Sequence, residues 1–558
     1  MDRIVECVPN FSEGRDKAVI DNITKSISEV PDVALLDVDP GEATNRTVVT
    51  FIGTPDGVKE AAFQAIKTAS ELIDMSQHSG AHARMGATDV CPFVPVKGVT
   101  MDYCVEIAKE VGKRVAEELN IPIYLYEHAA TRPERENLAT IRKGQYEGLP
   151  EKLKAPEWAP DFGEAKFNPE SGATVMGARE FLIAYNVNLN TKDRRKATDI
   201  ALDIREKGRA KRDKNGKIIR DENGKMVKVP GKLKCVKAVG WVIDEYQKAQ
   251  VSINLTNYHV TSPHIVFETI REEARKRGLR VTGSEIVGLI PLEAMLMAGR
   301  YYLQQQGKTT AVPEKELIRV AVESMGLNDV AEFNPDEKIV DYQVKEGGGL
   351  MQLVANDFND ELSSDSPAPG GGSVSALMGS LGGALVSMVA SLTHSKKGME
   401  ELRPRMVEVG TLAQELKDKL AYLVDEDTRA FNNVMSAFRM KKKTDVEKRA
   451  RKEAIESATK KATQVPFQVA DLCFNVLKIA EIVASEGNPN SVSDAGVASE
   501  AAFAGLKGAR LNVLINLPGI DDEEFCKDMM KKVNTIESKA RELNESISKT
   551  VQTIIQEL

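Results

Sequence analysis

Histidine, tryptophan and cysteine are scarce in this sequence, which has 558 residues but only six His, two Trp and six Cys. The cysteines are scattered and none forms a CxxC pair, which argues against a zinc ribbon and a disulfide framework. Reduced thiols of this kind, with an N-terminus that lacks an apolar signal core, indicate a cytoplasmic protein.

An excess of positive charge is also missing, because 83 acidic residues outweigh 75 Lys and Arg and leave a net charge of −8. This balance argues against general binding to nucleic acid, which favours a basic surface. The uncharged stretch Ser373–Leu392 is 20 residues long, which is enough to span a membrane. It contains five serines and three glycines, so we expect instead a soluble helix buried on all sides, and no membrane span.

The first half of the chain alternates strand-like and helix-like segments. The predicted order is strand Arg3–Pro9, helix Asp16–Glu29, strands Val33–Asp39 and Thr47–Gly53, helix Asp56–Asp74, strand Val90–Val96, then helix Asp102–Leu119 and strand Ile121–Tyr126. The order recurs as strand Glu180–Leu189, helix Lys196–Lys207, strands Val236–Asp244 and Gln250–Leu255, helix Pro263–Arg277 and strand Ile286–Pro291. This β-α-β-β-α-β order is the split βαβ pattern of a ferredoxin-like unit. We therefore predict two related α/β subdomains whose facing surfaces form a cleft.

The predicted domain boundaries follow changes in composition. The two subdomains are expected at residues 1–179 and 180–326, and a linker with a glycine run at 327–349. Beyond it the apolar residues follow a helical period without a convincing strand, so residues 350–558 are predicted to form an all-α domain. One of its helices, Asp445–Ala484, is expected to break near Pro466.

A basic segment, residues 208–234, interrupts the second subdomain. Ten Lys or Arg against three acids give it a net charge of +7, and Asn215-Gly216 and Asn223-Gly224 are hairpin-turn signals. Two interpretations remain open: a solvated, mobile loop, or a loop that holds an acidic ligand.

The run Gln-His-Ser-Gly-Ala-His-Ala-Arg-Met-Gly places two of the six histidines, His78 and His82, four residues apart. Histidine can both take and give a proton near neutral pH. Together with Arg46 and Asp39 from strand ends, His82 suits transfer of a carbon group to an amine, because the base removes the proton of the attacking nitrogen. A structural histidine is one alternative. A zinc site is another, although a glycine between the two histidines disfavours a helix there.

A second candidate site lies in the helical region. Asp427 has apolar neighbours at positions 423, 424, 430, 431 and 434, so its carboxylate lies at the edge of a buried helix face. Such a carboxylate can have a raised pKa and act as a general acid or base, and the alternative is a solvated charged face. Asp425 is a less favoured candidate for the same role.

Two polar loops precede helices and could line this second site. The glycines Gly370, Gly371 and Gly372 leave free backbone N–H groups that could receive an anion or the amide edge of a ring, and the alternative is a tight turn. The loop 487–496 precedes another helix, with Ser493 or Asp494 as the expected N-cap.

Several motifs resemble glutamate formimidoyltransferase: Val5–Gly14, Thr44–Thr47, His78–Gly86, Asp89–Phe93 and Ser171–Thr174. The helical region, with Ala368–Ser373, Val424–Phe431 and Ser493-Asp494, resembles formimidoyltetrahydrofolate cyclodeaminase. The order and nearly full-length coverage resemble the bifunctional formiminotransferase–cyclodeaminase family. Methenyltetrahydrofolate cyclohydrolases share the helical fold, so the second match is less decisive.

The resemblance implies two successive reactions of histidine degradation. The formimino group passes from N-formimino-L-glutamate to tetrahydrofolate, and 5-formiminotetrahydrofolate then closes to 5,10-methenyltetrahydrofolate with loss of ammonia. It implies a cytoplasmic homo-oligomer with paired cyclodeaminase domains, polyglutamylated tetrahydrofolate as co-substrate, and no metal or tightly bound cofactor.

The resemblance also implies roles for individual residues. His82 is the transferase base, Asp39 and Arg46 orient it and the substrate, and Asp427 is the acid–base residue of the cyclodeaminase. The expected substrate- or folate-binding residues are Asn10, Asn45, Arg84, Gly163, Phe167, Gly172, Gly370, Gly371, Gly372, Asp425 and Asp494. Two rivals remain: a helical domain that hydrolyses methenyltetrahydrofolate, and a non-enzymatic folate-binding scaffold.

Overall fold

The computed structural model describes residues 3–42, 44–80, 83–243, 247–344 and 349–558. The chain divides into two compact units, residues 1–298 with 321–345 and residues 299–320 with 346–558. All thirteen strands of the described ranges lie in the first unit. The predicted mixed N-terminal half and helical C-terminal half are therefore confirmed.

The first sheet has seven strands. They are β1 (Ile4–Cys7), β2 (Asn10–Phe11), β3 (Val33–Gly41), β4 (Arg46–Gly53), β5 (Thr88–Lys97), β6 (Ile123–Glu127) and β7 (Thr174–Ala178). β1 and β2 each pair with both β4 and β5, so they act as one interrupted central strand. β3 lies outside β4, and β7 and β6 continue the sheet beyond β5 in parallel. The sequence did not predict β7. Few of its five residues are strong strand formers, and its strand conformation depends on pairing with β5 and β6, which are distant in the chain.

The two faces of this sheet differ. One face packs against α1 (Lys17–Ser28), α2 (Pro55–Leu72) and α3 (Met101–Leu119) in a core that includes Val5, Cys7 and Phe11. The other face, here named the open face, is partly covered by the segment that contains the short helices α4 (Leu138–Ile141) and α5 (Leu149–Lys152). Since side chains alternate along a strand, the residues between core positions point to the open face.

The second sheet consists of β8 (Ile183–Leu189), β11 (Val236–Ile243), β12 (Lys248–Leu255) and β13 (Val281–Val287), in the antiparallel order β11-β12-β8-β13. The helices α6 (Arg194–Ile204) and α7 (Pro263–Lys276) connect its strands, and α8 (Leu292–Gln305), α9 (Glu314–Met325) and α10 (Pro335–Lys338) follow. The strand predicted at 286–291 is wrong in its bounds. The observed strand β13 begins at Val281 and ends at Val287, and residues 288–291 leave the sheet before α8.

The basic segment contains an eight-residue repeat between the short strands β9 (Arg209–Ala210) and β10 (Lys228–Val229). Residues 212–219 and 220–227 each form a turn in which an aspartate, Asp213 or Asp221, accepts two backbone N–H groups at 2.8–3.0 Å. At its base Arg209 pairs with Asp199 at 2.9 Å, and Lys232 pairs with Glu273 at 2.5 Å. Part of the positive charge is thus neutralised by acids of α6 and α7.

The helical unit contains α11 (Ala355–Leu362), α12 (Gly371–Ser395), α13 (Arg403–Arg439), α14 (Asp445–Glu486), α15 (Val492–Asn516) and α16 (Glu523–Glu557). Its core is built largely from Ala, Val and Leu of the last five helices. The predicted break near Pro466 is wrong, because α14 continues through it. Proline cannot bond the carbonyl four residues earlier, and that carbonyl, of Ala462, accepts a hydrogen bond from Asn516 Nδ2 at 2.9 Å instead.

Helix α12 is long and apolar enough to cross a membrane by length and composition, yet 61% of its most apolar window is buried within the unit. The prediction of burial on all sides is wrong for one stripe. Four large apolar side chains spaced three, seven and four residues apart along the helix are exposed: Met378, Leu381, Met388 and Leu392. This spacing defines a single apolar stripe along α12.

Candidate active sites

Asn10, Asp39 and Arg46 meet on the open face of the first sheet. Asn10 and Asp39 are both in register with Val48, on opposite sides of β4. Arg46 lies two residues before Val48 and therefore shares its face. Three residues that the sequence places in separate segments thus become neighbours.

Arg46 is held by one hydrogen bond and keeps unused donors. Its Nη2 donates to Asn10 Oδ1, while its buried Nε donates to no acceptor among the described residues. Burial lowers the pKa of Arg46, and the negative charges of Asp89 and Asp39 oppose that effect. An arginine in this setting can bind an anion or stabilise charge that develops on a substrate.

His78 is fully engaged in holding the histidine-containing loop. Arg84 Nε donates to His78 Nδ1 at 3.2 Å, so the ring proton is assigned to Nε2, which lies 2.9 Å from the carbonyl oxygen of Asn45. Both ring nitrogens are therefore occupied, and His78 anchors the loop instead of serving as a base.

Arg84 is a clamp for the same loop. Its two Nη groups donate to both carboxylate oxygens of Glu147 at 2.7 and 3.0 Å, and to Gln145 and the carbonyl of His78. With the bond from Nε, all five N–H groups are used. These hydrogen bonds hold the pKa of Glu147 below its ordinary value. The expected role of Arg84 in substrate binding stays a prediction, and it would require this clamp to open.

Asn45 fixes two loops at once. Its Oδ1 accepts the backbone N–H of Gly14 at 3.0 Å, and its Nδ2 donates to the carbonyl of Ser79 at 3.0 Å. The loop is thereby tied to the strand ends just before the expected base. His82 itself lies outside the described residues, so its role rests on sequence.

Sequence reasoning missed the pair Asp89 and Arg142. Arg142 donates to both carboxylate oxygens of Asp89, which is only 1% exposed, and Asp89 also accepts the backbone N–H of Met85 at 2.9 Å. Asp89 occurs in a motif noted in the sequence, but its partner lies 53 residues away and gave no local signal.

Gly163 and Phe167 line a surface cavity of about 700 Å³ beside the C-terminal end of α3. The segment continues to Gly172, which forms a backbone bridge with Gly86 at the end of the histidine-containing loop. A β-carbon at Gly172, whose φ is +66°, would overlap the backbone there. The segment therefore connects the cavity to that loop.

In the helical unit, Asp427 lies over the N-terminus of α12. Ser373 donates to its carboxylate through the hydroxyl, at 3.2 Å, and through the backbone N–H. Gly372 packs so closely that a β-carbon there would overlap the carboxylate. Burial raises the pKa of Asp427, although both hydrogen bonds oppose the rise. The free N–H groups expected after Gly370 and Gly371 are thus partly taken by this internal anion.

Asp425 and Asp494 lie away from that carboxylate. Asp425 accepts the backbone N–H of Leu350 at 2.5 Å and so holds the start of the helical unit. Asp494 is in the first turn of α15, whose N-cap is Ser491 and not Ser493 or Asp494 as predicted.

The loop before Asp494 contacts the far end of α12, where Asn488 donates its backbone N–H to Thr393 at 2.9 Å. Thr393 is roughly 30 Å along α12 from Gly372. The structure therefore does not bring Asp494 to Asp427 within one chain. Asn512, which the sequence did not single out, lies beside Gly371 instead.

No three His, Cys, Asp or Glu side chains of the described ranges are grouped so as to hold a metal ion.

Three families match successive parts of the chain. The formiminotransferase domain, N-terminal subdomain, matches residues 4–179, and the formiminotransferase domain matches residues 184–345. The formiminotransferase-cyclodeaminase family matches residues 354–535.

Similar proteins cover either the whole chain or one part of it. Formimidoyltransferase-cyclodeaminase of Mus musculus is 44% identical over 545 residues and covers 97% of both chains. Glutamate formimidoyltransferase of Streptococcus pyogenes is 48% identical over 304 residues, 54% of this chain and 94% of that protein. Methenyltetrahydrofolate cyclohydrolase of Methylorubrum extorquens is 43% identical over 195 residues, 35% of this chain and 94% of that protein. This chain belongs to the formimidoyltransferase-cyclodeaminase family.

Proposed function

We propose that the chain transfers the formimino group of N-formimino-L-glutamate to tetrahydrofolate and then cyclises 5-formiminotetrahydrofolate to 5,10-methenyltetrahydrofolate with release of ammonia. One observation carries this proposal: a bifunctional relative matches 97% of the chain at 44% identity. The presence of a separate polar site in each unit supports two reactions.

In the first reaction, N5 of tetrahydrofolate attacks the formimino carbon, and the bond from that carbon to the glutamate nitrogen breaks. His82 takes the proton from N5 and returns one to the departing nitrogen. Arg46, oriented by Asn10, stabilises the charge on the substrate, and Asp39 orients the same groups. Gly163, Phe167 and Gly172 lie against the folate, which the cavity at that segment supports.

In the second reaction, N10 attacks the formimino carbon and loses its proton, and the former imino nitrogen, after gaining that proton and a second one from an acid, leaves as ammonia. Burial raises the pKa of the Asp427 carboxyl, and a carboxyl of this kind can deliver a proton to that leaving group as a general acid. Asp427 is the residue that fits this role, and Gly370–Gly372 with Asn512 form the adjacent wall.

We further propose that residues 1–179 and 180–326 are two ferredoxin-like subdomains, joined by a linker at 327–349 to the cyclodeaminase domain at 350–558. The strand order 2-3-1-4 of the second sheet supports this for 180–326. The same order within β3, β4, β1 and β5 supports it for 1–179.

The exposed stripe of α12 supports a homo-oligomer in which cyclodeaminase domains pair, because covering it removes apolar surface from water. We propose a cytoplasmic enzyme that uses polyglutamylated tetrahydrofolate as substrate and needs no metal or tightly bound cofactor.

A second candidate applies to the helical domain alone: hydrolysis of methenyltetrahydrofolate. The 43% identity to the methenyltetrahydrofolate cyclohydrolase of M. extorquens favours it. The two candidates differ in one product, because only the cyclodeaminase releases ammonia.

The test is to incubate the full-length protein with N-formimino-L-glutamate and tetrahydrofolate, and to follow glutamate, ammonia and methenyl absorbance separately. We expect all three to rise, with ammonia following glutamate. Glutamate without ammonia would favour the cyclohydrolase, and no glutamate would refute the transferase.

A further inference from the structure

Arg46 and Arg142 both keep N–H donors that no acceptor of the described residues uses. Arg46 uses Nη2 on Asn10, and its Nε is buried and unpaired. Arg142 uses Nε and Nη2 on Asp89, which leaves its Nη1. The buried Nε of Arg46 is unfavourable without an acceptor, and a bound ligand that accepts from it would remove that cost.

The two guanidinium groups belong to one cluster. Asn10, which holds Arg46, is in register with Val90 on β5. The residue before Val90 is Asp89, which lies at the register shift of this pairing and holds Arg142. After burial and the opposing charge of Asp89, the charge of Arg142 is the next influence on the pKa of Arg46 and lowers it. The two cations are thus close enough to repel each other.

This cluster contains two partly buried arginines, Arg46 and Arg142, and one buried carboxylate. Asp89, at 1% exposure, compensates one of the two arginines, whereas Asp39 is exposed and its charge is screened by solvent. In a chain of net charge −8, such a local positive site favours an anionic ligand.

We propose that Arg142, together with Arg46, binds a glutamyl carboxylate, that of N-formimino-L-glutamate before transfer and of L-glutamate after it. This inference rests on the proposed transferase function. The planar guanidinium presents parallel N–H donors that match the two oxygens of a carboxylate.

Asp89 is a positioning residue, because its two oxygens fix the plane of the Arg142 guanidinium. The glutamyl tail of the folate carries the same chemistry, so the experiment must separate the two sources.

The experiment uses Arg142→Lys in the full-length protein. Lysine retains a positive charge beside the buried Asp89 but loses the donor fork. We expect the KM for N-formimino-L-glutamate and the inhibition constant of L-glutamate to rise together, by about 10–100-fold. We expect kcat and the KM for tetrahydrofolate, mono- or polyglutamylated, to stay within about threefold. Lys143→Gln, which removes an exposed positive charge one residue along, should change none of these values.

A second measurement needs no variant. If a carboxylate is bound in this way, L-glutamine or 4-aminobutyrate, each of which lacks one carboxylate of L-glutamate, must inhibit the wild-type protein at least about tenfold less strongly.

Three results would overturn the proposal while the transferase stands: unchanged constants in Arg142→Lys, a rise in the KM for tetrahydrofolate instead, or equal inhibition by all three amino acids. Failure of the wild-type protein to release glutamate would overturn the proposed function itself.

Discussion

The backbone of Gly372 lies directly against the carboxylate of Asp427, so that any side chain at position 372 would occupy the space of that carboxylate. Ser373, the next residue, donates to the same carboxylate through its hydroxyl and its backbone N–H. The start of α12 is thereby built around Asp427, and the glycine is as necessary to its position as the hydrogen bonds.

We predict that Gly372→Ala lowers the rate of cyclisation by at least about 10²-fold, because the methyl group displaces a general acid from its leaving group. Formimino transfer should be unchanged. The measurement is the initial rate of ammonia release beside that of glutamate release. Gly519→Ala, where a β-carbon would make only ordinary contact, is the control. Ammonia release at the wild-type rate would show that Asp427 does not need its observed position.

We predict that Asp427→Asn stops ammonia release while glutamate release continues and 5-formiminotetrahydrofolate accumulates. Asparagine keeps the size of the side chain but cannot carry the proton. Asp418→Asn, at an exposed position of the same helix, should release both products as the wild type does. If Asp427→Asn still releases ammonia, the proton comes from another group.

His82→Ala and His78→Ala should fail in different ways. His82→Ala should lower formimino transfer by about 10²–10⁴-fold at nearly unchanged stability, because it removes the base. His78→Ala leaves Arg84 Nε and the Asn45 carbonyl without partners, and should lower the free energy of unfolding by about 1–3 kcal/mol. Urea denaturation and steady-state kinetics on both variants check this. If His82→Ala transfers the formimino group within about threefold of the wild-type rate, His82 is not part of the mechanism.

The sequence predicted the elements that carry local signals. Alternation of apolar residues identified β3, β4, β8, β11 and β12, and the uncharged stretch identified α12. What it could not predict are contacts whose partners are far apart in the chain. Arg84 and Glu147 are 63 residues apart, and the amide of Asn516 that bonds Ala462 is 54 residues from it. The continuity of α14 through Pro466 depends on that second contact.

The same distinction between local signals and distant contacts explains which site residues the sequence could predict. Arg46 and Asp427 were selected for residue type and neighbours, and Asn10 was selected from a motif that resembles the family; all of these are local properties. Asp89 and Arg142 become a candidate only when a β-strand and a short helix meet over the open face. Asp494 was selected because it precedes a helix, but the length of α12 separates it from Asp427.

Glu6 should make stability depend on pH. It lies on the central strand β1 at 4% exposure, and burial raises its pKa from 4.5 to about 7, although the charge of Arg179 opposes the rise. Between those two values the folded state binds more protons than the unfolded state, so stability falls as the pH rises through this window. Relative to wild type, Glu6→Gln should be equally stable at about pH 4 and more stable by on the order of 3 kcal/mol at about pH 8.

Urea denaturation at several pH values measures this difference, with the exposed Glu71→Gln as control. A difference between Glu6→Gln and wild type that does not change with pH would contradict the raised pKa.

The central claim is that two sites on two units act in sequence on one folate. It is tested most directly by mixing the two inactive variants, His82→Ala and Asp427→Asn, with N-formimino-L-glutamate and tetrahydrofolate. Asp427→Asn alone should release glutamate without ammonia, and His82→Ala alone should release neither. The mixture should release both, with methenyl absorbance rising after glutamate. A mixture that releases glutamate but no ammonia, or either variant releasing ammonia alone, would contradict the account.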